Sequence, residues 1–382
     1  MAAKRAAKTA PKKPSAPAKP KGLEAYHLLG RSGLRVSPLC LGTMTFGKEW
    51  GWGNSDKESE AIYRRYLDAG GNFVDTANFY TQGTSETLLG KFMKGAKNRD
   101  RVVLATKFTL GMHPGDPNGG GNGRKNIIES LEASLRRLQT DYVDLYWLHM
   151  YDGMTPVEEV MRTLDALVRS GKVRHIGFSD TPAWYLAKGQ TYAELRGFEP
   201  LCALQLEYSL ITRDIEREHV DAALEFGLGI CPWSPLGGGL LSGKYERKPR
   251  KDGGYDYSGK GRLTHNRADH PRLISERNWA IIDALHAVAR ALGKSPAQVA
   301  LNWATKRRGI ASTIIGATSL AQLDDNLAAL DFDIPAELAA KLDEVSKPTL
   351  GFPYEFLAPG GFVMTAVSGG TKQAAEPAWF RK

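Results

Sequence analysis

Three consecutive segments decide the fold: RVVLATK at 101–107, NIIESLEASLRRL at 126–138 and VDLYWLH at 143–149. The first and third segments are short apolar runs, as expected of buried strands, and the middle segment repeats its apolar residues at helical spacing. A strand, a helix and a second strand in this order form a βαβ unit, which favours parallel strands.

The same alternation extends over most of the chain. Eight apolar runs are predicted strands, at 39–43, 72–76, 101–107, 143–149, 173–178, 203–206, 229–233 and 313–316. Apolar residues at helical spacing predict helices at 58–69, 85–93, 126–138, 156–168, 182–195, 214–226, 273–292, 296–306 and 319–330. Eight strands alternating with helices indicate an α/β fold in which a parallel sheet closes into a (β/α)8 TIM barrel.

A doubly wound sheet is the alternative fold. Its dinucleotide-binding form carries Gly-x-Gly-x-x-Gly directly after an early strand, whereas this chain has GTMTFG at 42–47. Before the first barrel strand, segments 26–29 and 34–36 around GRSG at 30–33 predict a β-hairpin. Three helices are predicted to start near a proline, with Thr155, Thr181 and Ser295 as N-caps.

The composition is that of a globular protein. Of 382 residues, 42% are hydrophobic and 24% charged, which excludes collagen, a coiled coil and disorder along the whole chain. Residues 1–22 are almost entirely Ala, Lys and Pro and cannot bury a core. The predicted organisation is a disordered tail at 1–25, a barrel at 26–346 and a C-terminal extension at 347–382.

The positive charge is concentrated in the tail. The chain carries a net charge of +9, and the first 22 residues hold seven Lys or Arg and no acid, so that +2 remains for the rest. The barrel is nearly neutral, and we therefore expect no nucleic-acid partner. The seven basic residues are Lys4, Arg5, Lys8, Lys12, Lys13, Lys19 and Lys21.

The sequence predicts a cytoplasmic protein without a membrane segment. The longest uncharged run, 227–243, contains two prolines and six glycines, which argues against a transmembrane helix. The tail lacks the apolar stretch of a secretory signal. Cys40, Cys202 and Cys231 each lie in an apolar run and are expected to pack as buried hydrophobic residues in a reducing compartment.

Four chemically active residues follow three successive predicted strands. In a barrel, functional residues cluster at the C-terminal ends of the strands. The second strand ends at Asp75, with Tyr80 five residues later; the third ends at Lys107 and the fourth at His149. An acid, a phenol, an ammonium and an imidazole are therefore expected on one face of the barrel.

Together these residues predict a proton donor. A phenol has an ordinary pKa of about 10, which is high for acid–base catalysis at neutral pH. We expect the Lys107 ammonium to lower the pKa of Tyr80, and Asp75 to hold Lys107 charged and in place. A neutral His149 could hydrogen-bond a substrate carbonyl. The set is suited to protonating an oxygen while a hydride reaches its carbon.

Four motifs in this chain resemble the aldo-keto reductase family: GTM at 42–44, DTANFY at 75–80, GKVRHIGFS at 171–179 and WSPL at 233–236. The resemblance extends from about residue 26 to residue 346. It implies a (β/α)8 barrel whose base is closed by an N-terminal hairpin. It also implies that Asp75, Tyr80, Lys107 and His149 match the family's catalytic tetrad, with Tyr80 as general acid in the reduction of aldehydes or ketones.

The resemblance further implies a nicotinamide cofactor, with NADP expected and NAD less favoured. The cofactor-binding residues that it assigns are Thr43, Met44, Ser179, Asp180, Gln205, Tyr208, Trp233, Ser234, Pro235, Leu236, Gly237, Gly238, Lys244, Gly316, Thr318, Gln322, Asp325 and Asn326.

These residues fall into four groups. Ser179, Asp180 and Gln205 match positions that bind the nicotinamide carboxamide, although many family members have Asn in place of Asp180, and an ionised carboxylate cannot donate a hydrogen bond. Tyr208 resembles the aromatic residue that stacks on the nicotinamide. Residues 233–238 with Lys244 resemble the loop over the pyrophosphate. Segment 316–326 would hold the adenosine end, and it contains no Lys or Arg for a 2′-phosphate.

Two other functions fit the sequence less well. A regulatory subunit related to the potassium-channel β subunits is the main alternative, but those proteins carry a different residue at the position of His149. A barrel enzyme for phosphorylated substrates lacks support, because GGLLSGKY at 238–245 ends in Tyr where a nucleotide-binding loop needs Ser or Thr. The eight histidines show no metal-ligand spacing, so we expect no metal.

The expected partner is a small carbonyl or alcohol substrate. The pocket is predicted to be apolar or aromatic, and to be built from residues 46–52, Phe79, residues 111–123 and the C-terminal extension with Phe352. Within the first of these segments, Phe46, Trp50 and Trp52 supply aromatic rings. The sequence predicts no particular oligomeric state.

Overall fold

Eight parallel strands form one sheet that closes into a barrel. The computed structural model describes residues 22–249, 255–259, 261, 263, 270–357, 362–367 and 369. The barrel strands, in their order around the sheet, are β12 (Thr313–Ile315), β3 (Leu39–Gly42), β4 (Phe73–Asp75), β5 (Val103–Phe108), β6 (Val143–Leu148), β7 (Val173–Ser179), β8 (Leu201–Glu207) and β9 (Gly229–Trp233). The predicted (β/α)8 TIM barrel is confirmed.

The last strand joins the barrel on both sides. Strand β12 pairs in parallel with β3, and the residues just before β12 bond to β9. Ala311 N donates to Ile230 O at 2.9 Å, and Ile230 N donates to Gly309 O at the same distance. These bonds close the ring, so the sheet keeps no long open edge.

The α-helices alternate with the strands around the barrel. They are Asp56–Asp68, Thr84–Ala96, Arg124–Leu138, Val157–Arg169, Ala183–Arg196, His219–Phe226, His270–Leu273, Glu276–Leu292, Pro296–Thr305, Leu320–Leu327, Ala336–Ser346, Tyr354–Leu357 and Phe362–Val367. The single helix predicted at 214–226 is instead a 3-10 turn, Asp214–Arg217, followed by His219–Phe226. Among the three predicted N-caps, only Ser295 caps a helix; Pro156 and Pro182 occupy the other two N-cap positions.

An antiparallel hairpin closes the base. Its strands are β1 (His27–Leu28) and β2 (Arg35–Val36). Gly30, in the turn, has φ +61°, and a Cβ there would meet Cys202 O at 2.3 Å, so both the conformation and the contact require glycine. Leu29 and Val36 are fully buried against the residues at the N-terminal ends of the barrel strands.

The interior of the barrel below the site is apolar and contains all three cysteines. Cys40, Cys202 and Cys231 are buried with Phe73 and Trp147, and none forms a disulfide. Burial raises the pKa of all three thiols, that of Cys202 to about 12. The prediction that the cysteines pack as small hydrophobic residues is confirmed by their burial.

A second hairpin, β10 (Glu246–Pro249) with β11 (Tyr255–Ser258), follows the glycine-rich loop after β9. The C-terminal extension begins beside the loop after β8, where Arg217 Nη2 donates to Thr349 O at 3.2 Å and Tyr354 bonds to Glu218. In the described ranges, no helix is both long and apolar enough to cross a membrane.

The N-terminal boundary differs from the prediction. Gly22–Glu24 form a 3-10 turn, and Leu23 is 3% exposed in the main core. The folded part therefore includes residues 22–25, which the sequence assigned to the tail, because one leucine in this segment finds a core position. Residues 1–21, to which the prediction of disorder also applies, lie outside the described residues.

Candidate active site

A buried ion pair lies at the mouth of the barrel. Asp75 ends β4 and Lys107 lies on the neighbouring strand β5, so that their side chains meet inside the barrel. Lys107 is 0% exposed; its Nζ donates to Asp75 Oδ2 and, at 2.8 Å, to Thr76 O. Burial lowers the pKa of Lys107, but Asp75 and Tyr80 reverse the effect and hold it above its ordinary value. The ammonium therefore stays charged.

Tyr80 completes this cluster from the loop after β4. The 3-10 turn Tyr80–Gly83 contains Thr81 and Gln82 at φ +48° and +55°, and Thr81 Oγ1 donates to Phe46 O at 2.7 Å. The turn directs Tyr80 over the mouth, where Lys107 Nζ lies 3.1 Å from its hydroxyl and 4.7 Å from its ring centroid.

The pKa of Tyr80 moves in the direction opposite to the one predicted. Burial raises it above its ordinary value, Asp75 and Asp180 add to the rise, and Lys107 lowers it without reversing the sum. The sequence showed the ammonium but could not show how far the phenol is removed from water. In this site Tyr80 is a phenol at neutral pH, with a positive charge beside its oxygen.

His149 faces Tyr80 from the loop after β6. The two rings are 5.9 Å apart between centroids and inclined at 78°. Burial, helped by the charge of Lys107, holds the pKa of His149 well below its ordinary value, so the imidazole is neutral. Its buried Nδ1 has no hydrogen-bond partner among the described residues. The four predicted catalytic residues are thus brought together.

Two residues that the sequence did not single out hold the backbone at His149. Thr109, at φ +93°, accepts from His149 N at 3.2 Å and donates from Oγ1 to Asn122 Oδ1 at 2.6 Å. Asn122 Nδ2 donates to Met150 O at 2.9 Å. No local sequence signal marks these residues, because the contacts join the glycine-rich segment 111–123 to a distant strand end.

Ser179, Asp180 and Gln205 lie at the ends of β7 and β8. Gln205 Nε2 donates to Asp75 Oδ1 at 3.0 Å, which joins it directly to the ion pair. The hydroxyl of Ser179 is buried without a partner among the described residues. Asp180 has φ +42°, and its carboxylate accepts from Trp233 Nε1 at 3.0 Å. This corner of the site holds polar groups that are free to receive a ligand.

The structure does not bring Tyr208 to this corner. Its ring stacks on Trp303 with centroids 5.5 Å apart, and its hydroxyl bonds to Glu216 at 2.5 Å. At 2% exposure the ring has no open face, so the predicted stacking on a nicotinamide is wrong for this geometry. A partly exposed aromatic residue that does lie at this corner is Trp233, at the end of β9.

A glycine loop follows Trp233. Ser234 and Gly237–Gly239 all have positive φ, and Gly238 N donates to Ser234 Oγ at 3.1 Å. Lys244 Nζ lies 2.9 Å from the position of a Cβ on Gly239, and no acid pairs with it among the described residues. Partial burial lowers the pKa of Lys244. Pro235 is buried, and Leu236 is partly exposed.

In the segment predicted to hold an adenosine, some side chains already form hydrogen bonds with other residues of the protein. Gly316, Thr318 and Gln322 are exposed at one rim, whereas Asn326 Nδ2 is held by Gly316 O at 3.1 Å. Asp325 accepts from Ser295 at 2.9 Å and from Gln298 at 2.7 Å, so its carboxylate is occupied.

Two further contacts concern residues near this rim. Arg65 approaches the same segment and pairs with Asp324 at 2.8 Å. The hydroxyl of Thr43 is buried between Asp75 O and Ser85, while Met44 is partly exposed.

Aromatic side chains form one wall of the mouth. Trp50 lies 5.7 Å from Trp52, 5.9 Å from Phe79 and 6.3 Å from Tyr80, measured between ring centroids. Phe46 is fully buried against Phe92 and does not line the mouth, contrary to the prediction. The described part of the C-terminal extension exposes Phe352 to solvent.

Among the described residues, no group of three or more His, Cys, Asp or Glu could hold a metal ion. The titratable groups at the mouth include one ion pair, one phenol, one neutral imidazole and the carboxyl of Asp180. This arrangement can deliver a proton to a polar atom placed between Tyr80 and His149.

Comparison with known sequences shows the family to which the chain belongs. The model of the Aldo/keto reductase family matches residues 38–347. The chain is 35% identical over 353 residues to a norsolorinic acid reductase of Aspergillus flavus, covering 90% of this chain and 87% of the relative.

Two more relatives cover most of the chain. It is 38% identical over 330 residues to the uncharacterized oxidoreductase YrpG of Bacillus subtilis, covering 84% of this chain and 95% of the relative. It is 35% identical over 341 residues to an aryl-alcohol dehydrogenase [NADP(+)] of Phanerodontia chrysosporium, covering 86% and 87% respectively.

Proposed function

Because this chain belongs to the aldo/keto reductase family, we propose that it is an NADP-dependent oxidoreductase that reduces aldehydes or ketones to alcohols, with Tyr80 as general acid. When bound, the cofactor supplies a hydride to the carbonyl carbon. Everything else that the reaction needs is proton transfer, orientation and exclusion of water, and these are tasks for the residues at the mouth of the barrel.

One observation carries the proposal: the buried ammonium of Lys107 lies 3.1 Å from the hydroxyl of Tyr80. As the carbonyl oxygen gains negative charge, Tyr80 gives it a proton, and the phenolate that remains lies beside a fixed cation. Asp75 holds that cation in place through a buried ion pair. The ammonium therefore stabilises the product of the proton transfer more than the starting phenol.

His149 is suited to orienting the carbonyl. A neutral imidazole offers one N–H donor without bringing a second positive charge near Lys107, and the depressed pKa keeps it neutral. The T-shaped contact with Tyr80 holds the imidazole beside the phenol, so that both side chains border the mouth where a carbonyl would bind. Tyr80 then donates the proton and His149 fixes the direction of approach.

The residues present fit a nicotinamide dinucleotide. The orphaned hydroxyl of Ser179 and the amide of Gln205 are suited to its carboxamide, and the partly exposed Trp233 offers the aromatic face that Tyr208 does not. The glycine loop 237–239 would allow close approach of a pyrophosphate. The charge of Lys244, which no acid pairs among the described residues, would help to neutralise it.

The preference for NADP and for aromatic substrates draws on the relatives. One of them is named an aryl-alcohol dehydrogenase [NADP(+)], and another a norsolorinic acid reductase. The wall formed by Trp50, Trp52 and Phe79, which reaches Tyr80, is suited to stacking on an aryl ring. We therefore propose aromatic aldehydes and ketones as substrates.

The test is reduction of an aromatic aldehyde by the wild type and by Tyr80→Phe, with NADPH and NADH binding measured in parallel by fluorescence. Loss of the acid should lower turnover by about 10²–10⁴-fold and leave cofactor affinity unchanged. Tyr142→Phe, at a surface tyrosine far from the mouth, is the matched control. If Tyr80→Phe retains most of its turnover, another residue is the acid; equal affinities for NADPH and NADH would reject the NADP assignment.

A further inference from the structure

We propose that Asp180 sets which oxidation state of the nicotinamide the site prefers: its carboxylate favours the cationic oxidised ring, and its protonated form removes that preference. The inference rests on the proposed function and adds to it the direction of reaction that the site favours at a given pH. At high pH the site would favour the oxidised cofactor and hence alcohol oxidation; at low pH the preference would disappear.

The geometry puts Asp180 among the reacting groups. It follows Ser179 at the end of β7 and accepts from Trp233 Nε1 at 3.0 Å, so the carboxylate is anchored to the aromatic face of the site. Its own backbone is held by Gln205 O at 3.2 Å and by Tyr151 N at 3.2 Å. Asp180 also acts on the phenol of Tyr80 through its charge.

The chemistry of the reaction determines where the cofactor ring would lie relative to Asp180. Tyr80 must reach the carbonyl oxygen, and the hydride must reach the adjacent carbon, so the reactive ring of the cofactor lies within a few ångströms of Tyr80. Asp180 is bonded to Trp233 through its carboxylate and to Gln205 through its backbone, and the side chain of Gln205 donates to Asp75 in the ion pair. Asp180 would therefore lie beside the same ring. A charge there distinguishes a cationic ring from a neutral one.

The other charged groups nearby are paired. Lys107 is neutralised by Asp75, and Glu207, which faces Asp180 from β8, forms a bidentate pair with Arg272 at 2.5 and 2.9 Å. Asp180 has a neutral partner, the indole of Trp233. Among the described residues no cation pairs with Asp180, so its ionised form adds a negative charge at the nicotinamide end of the site, where an oxidised ring would bring a positive charge.

Asp180 changes its charge within the pH range of the experiment described below. Burial raises the pKa of Asp180 to about 7; Glu207 adds to the rise, while Trp233 and Lys107 oppose it. The pKa of His149 lies well below its ordinary value and those of Tyr80 and Lys107 lie above theirs, so these three keep one charge state near pH 7.

The titratable group on the neighbouring helix is His219. Its Nε2 lies 2.8 Å from Thr181 O, one residue beyond Asp180. A positive charge on this imidazole would also disfavour a cationic ligand, so its effect would have the same sign as loss of the Asp180 charge. The experiment must therefore separate the two residues.

The experiment measures Kd for NADP⁺ and for NADPH by quenching of tryptophan fluorescence from pH 5.5 to 8.5. The two cofactors share their phosphates, so the ratio Kd(NADPH)/Kd(NADP⁺) cancels phosphate titration. In the wild type the ratio should rise roughly tenfold between pH 6 and pH 8, as expected for two opposite charges a few ångströms apart in a partly buried site.

Asp180→Asn should make the ratio independent of pH, at a value below that of the wild type at pH 6. The variant keeps an oxygen that can accept from Trp233, and an unchanged Tm would show that its fold is intact. His219→Gln should retain the wild-type slope. Calorimetry near pH 7 in buffers of different ionisation enthalpy should show more proton release with NADP⁺ than with NADPH in the wild type alone.

The outcomes separate the hypotheses. A pH-independent ratio in the wild type, or an unchanged slope in Asp180→Asn, overturns the assignment to Asp180. A slope lost in His219→Gln and kept in Asp180→Asn would assign it to the histidine. If neither cofactor binds at any pH, the proposed function itself fails. A site that prefers NAD is tested in the same way with NAD⁺ and NADH.

Discussion

Gln205 and Asp75 are joined across the mouth of the barrel: the amide Nε2 of Gln205 donates to Asp75 Oδ1 at 3.0 Å. The other carboxylate oxygen of Asp75 binds Lys107. The carboxylate that holds the Lys107 ammonium is therefore itself held by a residue from the opposite side of the barrel, and a ligand that contacts Gln205 can act on the ion pair.

Replacing this amide should affect catalysis more than stability. Gln205→Met keeps the approximate volume but removes the donor, so that Asp75 is less well fixed and Lys107 less well placed. We expect turnover to fall about tenfold at saturating cofactor, since one hydrogen bond to a charged group is worth roughly 1.5–3 kcal/mol. The measurement is steady-state reduction of an aromatic aldehyde.

Gln190→Met is the matched control. Gln190 is as buried as Gln205, and its Oε1 accepts from Leu201 N at 3.0 Å, at the other end of β8. It should lose stability and keep turnover per folded molecule. Equal losses of turnover in the two variants would mean that Gln205 supports the fold and not the ion pair.

Lys107→Met should remove both activity and stability. It leaves Asp75 as a buried carboxylate without its cation, which costs about 3–5 kcal/mol. The double variant Asp75→Asn with Lys107→Met removes both charges and should recover much of the lost Tm without recovering turnover. Thermal unfolding and aldehyde reduction measure the two effects separately. Recovery of activity in the double variant would contradict the role of the ammonium.

Thr109 should be necessary for the placement of His149. Thr109→Val is also β-branched, so backbone strain at φ +93° is unchanged, but the N–H of His149 and the amide oxygen of Asn122 lose their partner. Each buried polar group that loses its hydrogen bond lowers the free energy of unfolding by about 1–3 kcal/mol. We expect a lower Tm and a roughly tenfold fall in kcat/KM. Thr109→Ser keeps the hydroxyl and should stay near the wild type in kcat/KM; a large fall there would point to the methyl group instead.

His149 should contribute to acid sensitivity. Its pKa in the folded protein lies below the value of about 6.5 that it has in the unfolded chain. As the pH falls, the unfolded chain therefore binds a proton before the folded protein does. The corresponding stability is present above pH 6.5 and is lost as the pH falls, at up to about 1.4 kcal/mol per pH unit. Denaturant unfolding between pH 5 and 7.5 should show a shallower decline in His149→Gln. An identical decline would mean that the imidazole is already charged in the folded state.

The tail should be dispensable only up to residue 21. Deletion of residues 1–21 is expected to leave Tm and turnover unchanged. Leu23→Ser in the full chain should lower Tm by several degrees, because the leucine is buried in the main core. A large loss of stability on deletion of 1–21 would show that the basic segment packs against the barrel.

The barrel strands were predictable because each is a short apolar run between helices. Strand ends also place functional residues in a barrel, and so Asp75, Lys107 and His149 could be assigned to one face before any coordinates. Their contacts confirm that they meet. The direction of the pKa of Tyr80 was not predictable, since it depends on how much water the folded chain removes from the phenol.

Contacts between distant segments also could not be predicted from a pattern in the sequence. The burial of Tyr208 requires Trp303, which lies on a helix almost one hundred residues later, to cover one face of the ring. The support of His149 by Thr109 depends on an unusual positive φ that no residue type announces. Such relationships follow from three-dimensional packing, whereas alternation and strand ends follow from local periodicity.

The buried thiols of Cys40, Cys202 and Cys231 can be used to measure how often the folded barrel transiently unfolds. Each is shielded from solvent, and burial keeps each in the unreactive thiol form. An alkylating reagent can therefore reach them only when the barrel interior is exposed. The rate at which all three become labelled measures how often the whole barrel comes apart, without any denaturant or added dye.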